Sequence, residues 1–177
     1  MLKLLSDRPI FAPELGIYSH RLGDTWLAGG ASNCGGKTLL QSFTAEQLVA
    51  LESSLNPAKP TGTDYYPLPA VGERFPIADA KLAPRLTPRP ASDAEFLQGI
   101  YEAFARVEQT GYAKLRELGC PALRNVRHAG GGSRSATWMT LRANALNVPQ
   151  ISAWSEEAAA GAARLAWRSL GHEITFA

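Results

Sequence analysis

Residues 129–139 read Ala129-Gly130-Gly131-Gly132-Ser133-Arg134-Ser135-Ala136-Thr137-Trp138-Met139. Upstream, Leu123 to His128 predicts a strand. Downstream, Ser135 or Thr137 caps a helix with Trp138, Leu141 and Ala145 on one face, ending at Asn147. A strand that turns through glycines into a helix presents backbone N–H groups and a positive helix end. Without Cβ atoms, a flat base or ribose can lie against the main chain. The plainer reading is a tight strand–helix turn with no ligand, and the glycines alone do not separate the two.

A second segment follows: Glu156-Glu157-Ala158-Ala159-Ala160-Gly161-Ala162-Ala163-Arg164-Leu165-Ala166. Pro149 to Ala153 reads as a strand, and Ser155-Glu156-Glu157 opens a helix to about Leu170, stopped by Gly171. Alanine is explained by helix propensity, but Gly161 costs about 1 kcal/mol in a helix interior. Its presence predicts another backbone packed against it, and a helix beside the 130–132 turn. Simple close packing of two helices remains the alternative.

Further upstream, Thr44-Ala45-Glu46-Gln47 is a capping box opening a helix to about Leu55, with Leu48, Leu51 and Leu55 as its stripe. Ser92-Asp93-Ala94-Glu95 is another, opening the longest helix to about Leu118, closed by Gly119. Phe96, Ile100, Phe104, Val107, Tyr112 and Leu115 recur along it at helical spacing. Between these helices, residues 56–92 hold eight of the twelve prolines, which predicts a rigid surface loop. At the start, Leu2 to Leu5 reads as a strand, and Ile17–Leu22 with Thr25–Ala28 reads as a hairpin across Gly23-Asp24. A glycine loop, 29–36, leads into a short helix with Leu39 and Leu40 inward. Helix, strand, helix, strand, helix after residue 92 argues for parallel pairing, and the hairpin adds antiparallel strands. The expected fold class is α/β with a mixed sheet flanked by helices, in a single domain over 1–177.

Composition sets the bounds. At 177 residues the chain can bury ~70% of its unfolded surface, so it needs no staple. Net charge is +2 with no basic run, which argues against nucleic acid or a membrane surface as partner. No window approaches the length of a membrane span. Cys34 and Cys120 lack CxxC spacing and read as reduced thiols of a cytoplasmic protein.

Two other signals compete. Ala31-Ser32-Asn33-Cys34-Gly35-Gly36-Lys37-Thr38 nearly matches the phosphate loop of NTPases, with alanine for the first glycine. The following helix is short and no apolar strand ending in aspartate follows, so a glycine loop approaching phosphates in another fold is the better reading. Gly72-Glu73-Arg74-Phe75-Pro76 places an acid beside a base, which reads as an ion pair pinning the loop. His20, His128 and His172 have no metal spacing, and no catalytic set can be argued.

Three of these motifs, in order, resemble the FGGY carbohydrate kinases. Gly72-Glu73-Arg74-Phe75-Pro76, then Gly130-Gly131-Gly132-Ser133-Arg134-Ser135 with Trp138, then Glu157-Ala158-Ala159-Ala160-Gly161-Ala162-Ala163 are similar to that family's motifs. The loop 29–36 looks most like the ribulokinase and xylulokinase branch. The resemblance implies an actin-like ATPase (ribonuclease-H-like) domain, the C-terminal, ATP-side half of the enzyme, with ATP and Mg as cofactors. It implies Gly131 and Gly132 along the adenosine, with Ser133, Ser135 and Ala136 beside it. It also places Gly36 near the phosphate tail and the 157–163 helix behind the adenine.

The expected reaction is transfer of the ATP γ-phosphoryl group to a hydroxyl of a ketopentose or related sugar. The sugar-binding domain and the catalytic aspartate are expected from an N-terminal region, since none of the five aspartates here matches that position. The isolated chain is therefore expected to be inactive, with an open sheet edge near residues 1–5 that invites self-association or an N-terminal kinase half. The rival readings are a non-catalytic nucleotide- or partner-binding module and, more remotely, a phosphate-loop NTPase built on Lys37.

Overall fold

The computed structural model describes residues 1–155 and 157–171. Among these residues, five strands and five α-helices follow in the order β1 (Leu2–Ser6), β2 (Tyr18–Leu22), β3 (Thr25–Gly30), α1 (Gly36–Ser42), α2 (Ala45–Leu51), α3 (Asp93–Glu117), β4 (Val126–His128), α4 (Ala136–Leu146), β5 (Gln150–Ser152) and α5 (Ala158–Ser169). The hairpin forms as expected, with Leu22 facing Thr25 across Gly23-Asp24. Antiparallel and parallel pairing are both present, divided between two sheets. One is antiparallel in the order β1-β3-β2; the other is the parallel pair β4-β5, with α4 as the crossover.

The caps explain the helix boundaries. Thr44 and Gln47 form a reciprocal box: Gln47 N–H donates to Thr44 Oγ1 at 3.2 Å, and Thr44 N–H donates to Gln47 Oε1 at 2.8 Å. Ser92 Oγ accepts from Glu95 N–H at 3.3 Å at the start of α3. α2 stops at Leu51 and tightens into a 3-10 turn, Glu52–Ser54, instead of running to Leu55. Its three leucines still pack on the core. In α1, Leu39 is buried but Leu40 is 64% exposed, because adjacent helical positions point about 100° apart and only one meets the core.

The core falls into two clusters. One gathers Phe96, Ile100 and Phe104 of α3 with Leu39, Phe43, Tyr65 and Trp138. The other joins the antiparallel sheet to α3 through Leu2, Ile17, Ala28, Phe75 and Leu115. Segment 56–92 is therefore no mere surface loop: it delivers Tyr65, Leu68 and Phe75 to the interior. Phe75 is wedged between two glycines. A Cβ on Gly30 would come within 2.4 Å of its ring, and one on Gly111 within 2.8 Å. Prolines make this inserted loop stiff, which lowers the entropy lost on seating it.

The last helix departs from expectation. Nothing lies within 4 Å of a Cβ placed on Gly161, so no backbone packs there among the described residues. Leu165, Trp167 and Leu170 are exposed, and Arg164 reaches back over the Trp154 ring at 4.6 Å. Glu156 and His172, like the short tail after Gly171, lie outside the described residues. The predicted strands Leu123–His128 and Pro149–Ala153 pair only over three residues each, Val126–His128 with Gln150–Ser152.

Candidate functional site

Two glycine-bearing loops, about a hundred residues apart, open onto one cavity of about 470 Å³. Ser32, Cys34 and Gly35 contribute from the loop after β3, and Gly132 and Ser133 from the loop after β4. Phe104 and Val107 of α3 also line it. The size is that of a small-molecule cleft.

Glu73 builds the first loop. Its side chain is 3% exposed. It accepts from Ser32 Oγ at 2.6 Å, Asn33 N–H at 2.7 Å, Arg74 N–H at 2.8 Å and Tyr66 Oη at 3.1 Å. The motif thus pins the loop as expected, but not by an ion pair. Arg74 Nε instead donates to Asn33 Oδ1 at 2.8 Å, and Asn33 Nδ2 donates to Gly72 O at 2.9 Å. The Cys34 Sγ lies 3.6 Å from Glu73 Oε2, and burial first, then the carboxylate, push its thiol up to about 12. It is a shielded thiol, with no nucleophilic character near neutral pH.

The second loop is a 3-10 turn, Gly131–Arg134, running into α4. Ser135 is the cap of that helix, accepting from Trp138 N–H at 3.0 Å. The helix start is also held by a carboxylate that no local signal marks. Glu52, from the 3-10 turn after α2, accepts from Ser135 Oγ at 2.9 Å and from Thr137 N–H at 2.9 Å. That carboxylate occupies the positive end of α4, so α4 does not offer its N-terminus to a phosphate.

The candidate residues divide accordingly. Gly132 and Ser133 line the cavity; Gly36 and Gly131 adjoin it through Gly35 and Gly132. Gly35, Gly36 and Gly131 have nothing within 4 Å of a Cβ position, so bare backbone faces open space there. Gly132 differs: its Cβ would come within 2.6 Å of the Trp138 ring. A side chain there meets the indole first, so a valine would displace Trp138 before it met a nucleotide. Ser135 gives its hydroxyl to Glu52, and Ala136 begins α4. α5 was expected behind the adenine; none of its described residues lines the cavity.

Charge around the cavity is organised. Arg142 Nη2 lies 2.8 Å from Glu108 Oε1, and its guanidinium stacks 4.1 Å from the centre of the Trp138 ring. Burial lowers the His128 pKa, and His128 Nε2 bonds Gln150 Oε1. Among the described residues there is no group of three or more His, Cys, Asp or Glu that could hold a metal ion. Against the phosphate-loop alternative, Thr38 is fully buried, its hydroxyl donates to Pro67 O at 2.7 Å, and it is not among the residues lining the cavity. No helix of the described residues is long and apolar enough to cross a membrane.

Residues 4–170 match the family described as "FGGY family of carbohydrate kinases, C-terminal domain". Among solved structures, a xyloylose kinase from Brucella ovis is 27% identical with a TM-score of 0.74, covering 97% of this chain and 37% of its own. A xylulose kinase from Lactobacillus acidophilus is 19% identical with a TM-score of 0.76, covering 98% and 37%. A gluconate kinase from the same organism is 19% identical with a TM-score of 0.74, again covering 98% and 37%. The chain thus spans less than two-fifths of the length of these relatives.

Proposed function

Because this chain belongs to the FGGY family of carbohydrate kinases, with the actin-like fold of its C-terminal domain, we propose that it is the nucleotide-side half of an ATP-dependent sugar kinase. The reaction is transfer of the γ-phosphoryl group to a hydroxyl of a ketopentose or related sugar. Sugar and general base come from the remainder of a full-length enzyme, consistent with the 37% share of the Brucella ovis chain that is matched here.

The carrying observation is the convergence of the two glycine-bearing loops on one cavity. Bare backbone at Gly131 fits a flat adenosine, and Gly35 with Gly36 fits a phosphate tail approaching from the other loop. Ser133 stands at the cavity wall beside them. Magnesium, when bound, neutralises phosphate charge and rides mainly on the phosphates, since it keeps most of its own waters. This chain's residues bind and orient; Glu73 and Glu52 hold the two loops so that little ordering is left for the ligand to supply.

Calorimetric titration with Mg-ATP tests this. Half a cleft is expected to bind near millimolar, about −4 kcal/mol. Gly131→Val is the informative variant: its side chain enters open space, so stability holds within about 0.5 kcal/mol while ATP affinity falls. Absence of binding in the wild-type chain would favour the second reading, a partner-binding module without nucleotide.

A further inference from the structure

The antiparallel sheet borders a second cavity, of about 600 Å³, that the nucleotide reading leaves unused. The inner face of the sheet is filled: Leu2, Leu4 and Ala28 belong to the core that contains Leu115 of α3. Strand alternation sends Lys3, Gly29 and Tyr18 to the outer face. The register sets them in one row, Lys3 opposite Gly29 and Gly29 opposite Tyr18. The middle of that row is bare. A Cβ on Gly29 would meet Leu2 O at 2.0 Å, so only glycine fits. The result is a trough with Phe11, Pro13 and Tyr18 as apolar wall and Lys3, His20 and Arg74 as its polar points.

Lys3 lies on β1 and His20 on β2, with β3 between them. The lysine still reaches across, its Nζ 3.0 Å from His20 Nδ1 and 3.5 Å from Tyr18 O. An ammonium has no lone pair, so Nδ1 accepts and the ring proton sits on Nε2. No carboxylate answers these cations: neither Lys3 nor Arg74 forms an ion pair among the described residues. Arg74 donates through Nε to Asn33 Oδ1 at 2.8 Å, and its two terminal nitrogens have no partner there. Glu73 also borders the trough, but its carboxylate is engaged by Ser32, Asn33 and Tyr66. Burial holds the Lys3 ammonium below its usual pKa. A cation drawn partly out of water with no counter-charge is stabilised by any anion that reaches it.

We propose that this trough is a second ligand site, for a small organic acid with an anionic head on an apolar or aromatic body. Lys3 and Arg74 supply the charge that holds the head, and His20 Nε2–H is a further donor beside it. The body lies over Gly29 against Phe11 and Tyr18. A few placed polar groups on an apolar wall are the usual make-up of a small-molecule site, and a bare inorganic anion would leave that wall uncovered. The trough is on the face of the sheet away from α3, whereas the nucleotide cavity is lined by α3, so this inference stands apart from the proposed function.

The test is titration of the full chain with 2-naphthoate, followed by amide NMR shifts. Saturable shifts are expected at Tyr18, His20 and Gly29, with half-saturation at or below about 1 mM. 2-Naphthamide, the same body without the charge, should bind about tenfold more weakly. Lys3→Met keeps the stem and loses the ammonium; it should weaken naphthoate about tenfold and leave naphthamide unchanged. Bound naphthoate should also raise the Lys3 ammonium pKa in the wild-type chain, read from its Cε shift, which needs no variant to fold. Equal affinity for the amide, an unmoved Lys3 pKa at saturation, or no binding at about 10 mM overturns the proposal. So do shifts confined to Ser32–Gly35 and Gly132–Ser133, or displacement by Mg-ATP, which would put the naphthoate in the nucleotide cavity.

Discussion

The two loops at the cavity use the same device with different strength. In each, a glutamate from a distant segment accepts a serine hydroxyl and a backbone N–H a residue or two later: Glu73 for Ser32 and Asn33, Glu52 for Ser135 and Thr137. Glu73 is almost wholly buried, sits on a proline-stiffened loop beside the Phe75 wedge, and also serves Tyr66. Glu52 is only half-buried, on a single 3-10 turn. A carboxylate bond is worth more where water cannot replace it. The first loop should therefore behave as a fixed piece of the core, and the second as a surface element that opens at lower cost.

Glu73→Ala is the largest break in that comparison. It strands the part-buried donors of Ser32, Asn33 and Tyr66, and should cost on the order of 3 kcal/mol in urea unfolding. A loss below about 1 kcal/mol would show that water enters and replaces the carboxylate. Gly132→Ala comes next, at about 2 kcal/mol, because the new methyl forces the Trp138 ring aside. Its expected signature is altered near-ultraviolet circular dichroism together with the stability loss; an unchanged spectrum would mean the indole has room to move. Glu52→Ala should cost about 1 kcal/mol and leave α4 otherwise folded, since Ser135 still caps it. If Glu52→Ala proved as damaging as Glu73→Ala, the contrast between the loops would collapse.

The smallest effect is read by chemistry. With its thiol at about 12, Cys34 should resist alkylation through pH 9 in the folded chain and react only as the pH nears 12. The sign for stability follows: a group raised above its unfolded value favours the fold below about pH 8.5 and weakens it from there toward pH 12. Glu73→Ala should open the loop and let Cys34 react near pH 8; an equally slow reaction would detach the thiol's shielding from that carboxylate.

The sequence read well wherever the signal was local. The Thr44 box, the Ser92 cap and the Gly23-Asp24 turn act over a few residues, and each appears as expected. So does the periodic apolar stripe of α3, from Phe96 to Leu115. The candidate site was only partly legible: both glycine loops reach the cavity, but α5 does not, and Gly132 is spoken for by Trp138. Glu52 was invisible, because nothing within four residues of it marks a partner more than eighty residues away.

The order of the elements, the starts of the capped helices and, through three motifs in family order, membership of a kinase family were therefore legible in the chain's residues alone. Caps, turns and periodicity are contests between a residue and its immediate neighbours, and composition settles them. The tertiary structure alone decided that Phe75 leaves a proline-rich loop to wedge between a pair of glycines, that Leu39 rather than Leu40 is inside, and that glutamates 52 and 73 each find a serine and an amide. Those outcomes depend on which surfaces meet once the chain is compact. A buried donor takes whatever acceptor packing brings within about 3 Å, however distant in sequence.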